Sequence, residues 1–159
     1  MNELLNLLKQ NALETPENMA KMLGLSVDEV KKQIAEYEKA GIIRAYQAVV
    51  NEEKLDTSLV TTVIEVKVTP ESEGGFNRIA DRISRFPEVE SVYLMSGTFD
   101  LLLFIKGRTM HEAAGFVSEK LATMPGVTST ATHFMMKTYK QNGILMHTGE
   151  GDERLKVSP

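Results

Sequence analysis

The stretch FPEVES at residues 86–91 decides the fold of the second half of the chain, because it returns as MPGVTS at residues 124–129, 38 residues later. Both copies share the pattern apolar-Pro-x-Val-x-Ser. Apolar residues recur at helical spacing before each copy, and the residues after each copy are typical of a strand. Each copy therefore marks a junction from helix to strand, and the repeat predicts two strand-helix-strand units in series.

The segments around these junctions predict a four-stranded sheet. We predict strands over residues 59–69, 89–96, 99–106 and 127–139, and helices over residues 76–86 and 110–121. Two such units give the order βαββαβ of a ferredoxin-like domain, with both helices on one face of the sheet because crossovers are right-handed. The other face is left bare, and a second copy of the chain is the simplest cover for apolar residues there.

The first 40 residues show helical spacing only. Two short helices precede a third, which begins at Val27 and runs to about Lys39. Ser26 and Glu29 form a capping box at its start, and a three-residue connection before it has the turn length of a helix-turn-helix. One stripe of the third helix is apolar, namely Val27, Val30, Ile34 and Tyr37. The opposite face carries Asp28, Lys32, Ala35, Glu36 and Lys39.

The composition shifts after Gly41, and residues 42–50 suggest one or two extended segments. We therefore divide the chain into a first domain over residues 1–50, a linker over 51–58, a second domain over 59–142 and a C-terminal tail over 143–159. The tail is charged, and flexibility is its simplest interpretation. The alternative is that Leu155 and Val157 dock on a neighbouring subunit.

Composition excludes several chemistries. The chain has 159 residues and no cysteine, which rules out disulfides, zinc-thiolate sites, iron-sulfur clusters and thiol nucleophiles. Its three histidines are widely separated, and no catalytic triad order or phosphate-binding loop appears. We therefore expect no catalytic residues, no metal and no cofactor. No apolar window is long enough for a membrane span, so a cytoplasmic protein without a membrane partner is expected.

The order of these parts resembles the Lrp/AsnC family of transcriptional regulators over residues 1 to about 140. The resemblance rests on the capped third helix, its exit EKAGII at residues 38–43 and the turn GTFD at residues 97–100. It implies an α+β fold in which a winged helix-turn-helix precedes a ferredoxin-like βαββαβ effector domain, the RAM domain. It also implies binding of double-stranded DNA, a small effector that is usually an amino acid, and homodimers that often assemble into octamers.

The resemblance places the effector at the turn between the middle strands of the sheet. The matching positions are Met95, Ser96, Gly97, Thr98, Phe99 and Asp100, with Thr130, Thr132 and His133 of the fourth strand as weaker candidates. The Asp100 carboxylate would bind an ammonium group, and amides or hydroxyls at Gly97 and Thr98 would bind a carboxylate. Glycine and aspartate are also ordinary turn residues, so turn chemistry alone is the alternative interpretation.

The predicted DNA-binding domain is not basic. Residues 1–55 hold seven basic and nine acidic residues, a net charge of −2, and the whole chain has a net charge of −4. Because phosphate contacts supply most of the affinity for a duplex, one domain should bind weakly, and several on one duplex would compensate. The candidate DNA contacts are Lys31, Lys32, Gln33 and Lys39 for bases or phosphates, and Lys21, Ser26, Arg44 and Tyr46 for the backbone or helix start.

Three alternatives to this interpretation stay open. The charged face of the third helix would be only a solvated surface, or the chain would be an effector-binding co-regulator with weak or no DNA binding. The third is an enzyme, because siroheme decarboxylases are similar to this family in both domains. The lack of a clustered arginine and histidine pocket in the sequence speaks against the enzyme.

Overall fold

A computed structural model of the chain describes residues 2–55, 59–69 and 75–147. The chain forms two compact units, Met1–Val50 and Asn51–Pro159. Leu155 and Val157, for which a docking role is one alternative, lie outside the described residues, as do residues 56–58 of the predicted linker.

The first unit contains three helices, α1 (Glu3–Gln10), α2 (Pro16–Leu23) and α3 (Val27–Lys39). The hydroxyl of Thr15 caps α2 by accepting from the amide of Asn18, and Pro16 occupies the first helical position, where its missing N–H costs nothing. Gly24 ends α2 in the left-handed conformation at φ 66°. These bounds confirm the three predicted helices and the short turn between α2 and α3.

A capping box starts α3, as predicted. The Ser26 hydroxyl accepts from the Glu29 amide at 3.3 Å, and the Glu29 carboxylate accepts from the Ser26 amide at 2.8 Å. Val30 is fully buried on the inner stripe, against a core formed with residues of α1 and α2. The residues of this core are Leu4, Leu8, Met19, Ala20 and Val30, with Val27, Ile34 and Tyr37 packed against it.

The segment after α3 forms no helix and no strand up to residue 50. The amides of Ile42 and Ile43 both donate to the Tyr37 carbonyl, which closes the end of α3. The extended segments predicted for residues 42–50 therefore form no strand in the structure.

The second unit is a four-stranded antiparallel sheet covered on one face by helices. Its elements are β1 (Val60–Val68), α4 (Asn77–Ile83), β2 (Val89–Leu94), β3 (Leu101–Gly107), α5 (Met110–Gly115) and β4 (Val127–Phe134). The strand order is β2-β3-β1-β4, so β1 and the apolar β3 lie in the centre. This order confirms the predicted ferredoxin-like arrangement.

The core of this unit lies between the sheet and its helices. Alternate residues of the two central strands point into it, because successive side chains of a strand face opposite sides. The fully buried members are Ile64, Val66, Leu101, Leu103 and Ile105 of the sheet and Ile79, Ile83 and Leu121 of the helical layer.

Two predicted elements differ from the structure. The predicted helix 110–121 is α-helical only to Gly115, and Phe116–Leu121 forms a π-helix in which the Ala122 amide donates to the Val117 carbonyl at 2.7 Å. The predicted strand 127–139 ends at Phe134. The chain then turns into a hairpin of β5 (Lys140–Gln141) and β6 (Ile144–Leu145).

Asn142 and Gly143 form the two-residue turn of this hairpin at φ 49° and 85°. An Asn-Gly pair with both φ angles positive is the strongest short hairpin signal. Sequence analysis placed Gly143 at the start of a flexible tail, whereas Met146 beyond it is buried in the second unit.

Candidate functional site

The outer face of α3 is the first candidate site. Asp28, Lys32, Ala35, Glu36 and Lys39 are all exposed, as the helical projection predicts. Within the described residues, none of the four charged side chains makes an ion pair or a side-chain hydrogen bond. The face thus presents charges of both signs to any partner.

The first turn of α3 contains two carboxylates that differ in availability. The Glu29 carboxylate accepts from both the amide and the hydroxyl of Ser26, at 2.8 and 2.7 Å, and these bonds lower the pKa of Glu29 below its usual value. The Ser26 hydroxyl is therefore engaged within the helix cap, whereas the Asp28 side chain is exposed and makes no hydrogen bond or ion pair with another described residue.

The remaining candidate DNA contacts differ in how exposed their side chains are. Lys21 in the last turn of α2, Lys31 on α3 and Arg44 beyond α3 are exposed, and Gln33 is half-buried. The Tyr46 hydroxyl donates to the Glu38 carboxylate at 2.9 Å. Burial, followed by the hydrogen bond and the charge of Glu38, raises the pKa of Tyr46. The one donor of the Tyr46 hydroxyl is therefore engaged by Glu38.

The second candidate site is the loop between β2 and β3, residues 95–100. Its two ends close on each other, because the Met95 amide donates to the Asp100 carbonyl at 2.8 Å. The Asp100 amide donates to the Val66 carbonyl at 3.0 Å, and one Asp100 carboxylate oxygen accepts from the Val68 amide at 2.9 Å. Asp100 thus holds the loop against the end of β1. The second oxygen of its carboxylate takes no part in the bond to the Val68 amide.

The tip of this loop is open. Residues 95–98 are exposed, and Phe99 and Asp100 are half-buried. A Cβ atom added to Gly97 would meet no other atom of the described residues within 4 Å. The space above Gly97 is therefore free for a ligand or a neighbouring chain.

The three candidates on β4 do not all lie on the same side of the sheet. Thr130 pairs with Val66, and Thr132 pairs with Ile64, so both share the helix-covered side of the sheet. His133 pairs with Val63 on the opposite side, with its Nε2 3.4 Å from the Glu65 carboxylate. Thr130 lies on the same rung of the sheet as the end of the loop, at Leu101, two strand spacings or about 10 Å away. Only Thr130 belongs near the loop.

Comparison with known proteins agrees with this architecture. The family model described as the Lrp/AsnC ligand binding domain matches residues 61–145. The chain is 48% identical over 158 residues to an uncharacterized HTH-type transcriptional regulator, YugG, of Bacillus subtilis, covering 99% of this chain and 95% of that protein. This chain belongs to the Lrp/AsnC family.

Two further regulators are similar to this chain at lower identity. The leucine-responsive regulatory protein of Haemophilus influenzae is 29% identical, over 91% of this chain and 86% of that protein. The crystal structure of a transcriptional regulator of Neisseria meningitidis in complex with L-Met, NMB0573, superposes with a TM-score of 0.66 at 25% identity, covering 87% of this chain and 88% of that one.

A third surface of this Lrp/AsnC chain is the uncovered face of the sheet, which we call the open face. Its apolar centre consists of Val63, Tyr93, Leu102, Phe104 and Ala131. The rings of Tyr93 and Phe104 meet edge to face, with centroids 6.1 Å apart. Sequence analysis predicted that this face is bare and did not name its residues, although every second position of β1 and β3 identifies them.

The rim of the open face is charged, and one of its lysines, Lys106, is paired with two carboxylates. The Lys106 ammonium lies 2.5 Å from the Glu52 carboxylate and 2.8 Å from the Glu90 carboxylate. Burial alone would lower the pKa of Lys106, but the hydrogen bonds and charges of Glu52 and Glu90 outweigh it and raise that pKa. The Glu65 and His133 side chains meet on the same face.

Residues 51–53, at the start of the predicted linker, make contacts that were not predicted. The Asn51 side chain donates to the Met146 carbonyl at 2.7 Å, and the Glu53 carboxylate accepts from the Thr138 amide at 3.1 Å. Glu53 also lies 3.5 Å from His147. Together with Glu52, these residues fasten residues 51–53 to the second unit, and partners so distant in sequence leave no local signal.

The described part of the chain contains no group of three or more acidic or histidine side chains that could hold a metal ion. His111, His133 and His147 lie on α5, on β4 and after β6. None of the helices in the described ranges is long and apolar enough to cross a membrane.

Proposed function

We propose that this chain is a sequence-specific, DNA-binding transcriptional regulator of the cytoplasm whose binding responds to an amino acid. The observation that carries the proposal is the outer face of α3, the second helix of a helix-turn-helix. Its charges have no partner among the described residues, and such a helix enters the major groove of DNA.

In this proposal α3 contacts the major groove of DNA, and residues outside its groove-facing surface contact the DNA backbone. Lys31, Lys32, Gln33 and Lys39 contact bases or phosphates from α3. The backbone contacts come from Lys21, Ser26, Arg44 and Tyr46, of which Ser26 and Tyr46 have engaged hydroxyls. Because acidic residues interrupt this surface, high affinity requires two or more such units on one duplex.

The effector in this proposal binds at the loop of residues 95–100. The free oxygen of Asp100 pairs with the ammonium group, and the backbone around Gly97 and Thr98 takes the carboxylate. Met95, Ser96 and Phe99 line the site, with Thr130 beside it and Thr132 and His133 more remote. The L-Met complex of the related Neisseria regulator supports the amino-acid class.

A second copy of the chain covers the open face in this proposal. Burial of apolar side chains such as Phe104 and Tyr93, the latter 52% exposed, is the driving force. A face-to-face pair of sheets is a symmetric interface that closes a dimer. Association of such dimers into octamers through the effector loops follows the family pattern.

The test is the electrophoretic mobility of DNA from upstream of the gene, at low and moderate salt, with and without a pool of amino acids. We expect a salt-dependent shift that one amino acid changes. A folded, oligomeric chain that shifts no fragment at any salt would contradict DNA regulation and favour the co-regulator or the siroheme-decarboxylase-like enzyme.

Substitution of Gly97 localises the effector. Gly97→Leu fills the open space of the loop and should abolish the response to the amino acid while the DNA shift persists. Gly143→Leu is the matched control, because Gly143 also has a positive φ and open surroundings but lies in the β5-β6 hairpin. An unchanged response in Gly97→Leu would move the effector away from this loop.

A further inference from the structure

The outer face of α3 alternates acid and base. Asp28, Lys32, Glu36 and Lys39 follow one another at steps of four, four and three residues, which places them in one row on a helix. Such alternation usually produces ion pairs along the helix. None of the four forms an ion pair with any residue in the described ranges. Each therefore keeps its full capacity to donate or accept a hydrogen bond.

The start of α3 is the part that meets base edges, because helix-turn-helix proteins read DNA with the N-terminal residues of the second helix. A carboxylate there is repelled by phosphates and is useful only opposite a hydrogen-bond donor. The Glu29 carboxylate already accepts two bonds from Ser26. Both bonds end on one Glu29 oxygen, so Asp28 is the carboxylate of the first turn with both oxygens available.

The major groove offers few donors to a carboxylate. Guanine and thymine present acceptors, adenine presents the donor N6 beside the acceptor N7, and cytosine presents the donor N4 without a neighbouring acceptor. A carboxylate therefore fits cytosine best and is repelled by guanine and thymine.

We propose that Asp28 is a specificity-determining residue that accepts a hydrogen bond from N4 of a cytosine in each half-site. Lys32, one turn later on the same row, donates to the O6 or N7 of a neighbouring guanine. This assignment rests on the proposed DNA binding through α3. Asp28 lowers the affinity for most DNA sequences but not for those with cytosine at one position. Its specificity therefore comes from weaker binding to the wrong bases.

A purely structural role for Asp28 makes a different prediction. An acid in the first turn stabilises a helix through its dipole, whatever the helix binds. Replacement by asparagine would then change the stability of the first unit, and the preferences for bases would stay as they are.

The experiment measures binding of the full-length chain to duplexes in which each position of the bound site is varied over all four base pairs. The wild type should prefer cytosine at one position of each half-site by at least about five-fold. Asp28→Asn should shift that preference to adenine, because an asparagine pairs with N6 and N7 of adenine, and Asp28→Ala should flatten it.

Glu3→Gln is the matched control, because Glu3 is an exposed acid in the first turn of α1. It should leave every base preference unchanged. If Asp28→Asn binds all sites uniformly more tightly with the wild-type profile, Asp28 only repels phosphates and the assignment is wrong. A wild type that binds no duplex under any condition overturns the proposed function itself, and this assignment with it.

Discussion

The two units of the chain leave different kinds of surface without a partner. On α3 of the first unit, the charges of Asp28, Lys32, Glu36 and Lys39 are exposed and unpaired among the described residues. Around the sheet of the second unit, by contrast, Lys106 is held between two carboxylates, and the uncovered centre is apolar. The first unit is therefore suited to a charged, hydrated partner, and the second to an apolar one.

This difference implies two kinds of interaction with different physical origins. Contacts with DNA phosphates are electrostatic and weaken as salt rises, because they release counterions. Contacts between apolar sheet faces depend on buried area and respond little to salt. A change on one surface should therefore leave the other interaction largely intact.

The largest effect is expected from Phe104→Glu at the centre of the open face. An unpaired carboxylate buried between two sheets costs about 3–5 kcal/mol, so the dimer should dissociate at micromolar concentration. Sedimentation velocity measures the oligomeric state. Met110→Glu, at an exposed methionine in the first turn of α5, is the control and should stay oligomeric. An equally oligomeric Phe104→Glu chain would show that this face is not the interface.

The second effect tests whether the two cores are separate. Leu4 is 1% exposed in the core of the first unit, and Leu4→Ala should cost that unit about 2–5 kcal/mol. Hydrogen exchange should then show faster opening of α1 to α3 with unchanged protection of the sheet. Leu13→Ala removes a leucine that is 92% exposed and should change neither. Equal loss of protection in both units would mean that they unfold together.

A smaller effect is expected at Thr62, the buried polar residue of β1. Thr62 is 0% exposed, and its hydroxyl has no hydrogen-bond partner among the described residues. Thr62→Val removes this unsatisfied group and should stabilise the second unit by about 1 kcal/mol. Thermal unfolding measures the shift, and a lower midpoint in the variant would show that the hydroxyl has a partner in solution.

The smallest effect is a pH dependence of the second unit. The hydrogen bond from Lys120 lowers the pKa of Glu88 below its usual value of 4.5, against the opposing effect of burial. A lowered pKa in the folded chain means that the pair stabilises the fold above about pH 4.5 and that this contribution is lost as the pH falls through the folded value.

Glu88→Gln should therefore be less stable than the wild type at neutral pH by at most about 1 kcal/mol, since the pair is partly exposed. Chemical denaturation at several pH values should show this difference shrinking below pH 4.5. A difference that is constant from pH 7 to pH 3 would mean that packing, and not charge, is responsible.

Local patterns predicted the elements of the fold well. The capping box of Ser26 and Glu29 and the buried stripe around Val30 depend on residues within four positions of each other, so the sequence contains the complete signal. The βαββαβ order follows from the repeat at residues 86–91 and 124–129, and the position of both helices on one face follows from the handedness of crossovers.

The remaining features depend on details that these patterns do not encode. The π-helix of Phe116–Leu121 has the same apolar spacing as an α-helix, so periodicity does not distinguish the two. The bond between Asn51 and Met146 joins residues 95 positions apart. The Asp100 carboxylate was predicted to bind the effector, but one of its oxygens accepts a hydrogen bond from the end of β1. This role can be seen only once the strand register is known.

The most direct test of the central claim is the salt dependence of DNA binding when three lysines of α3 are neutralised together, as Lys31→Gln, Lys32→Gln and Lys39→Gln. Because Lys32 is assigned to a guanine, Lys31 and Lys39 are left for phosphates. The slope of log K against log salt concentration should fall in magnitude by about 0.9 for each lost phosphate contact, hence by about 2 per bound unit. The oligomeric state should not change. Lys140→Gln in the second unit is the control and should keep the wild-type slope. An unchanged slope and affinity in the triple variant would contradict the claim that the unpaired charges of α3 serve DNA.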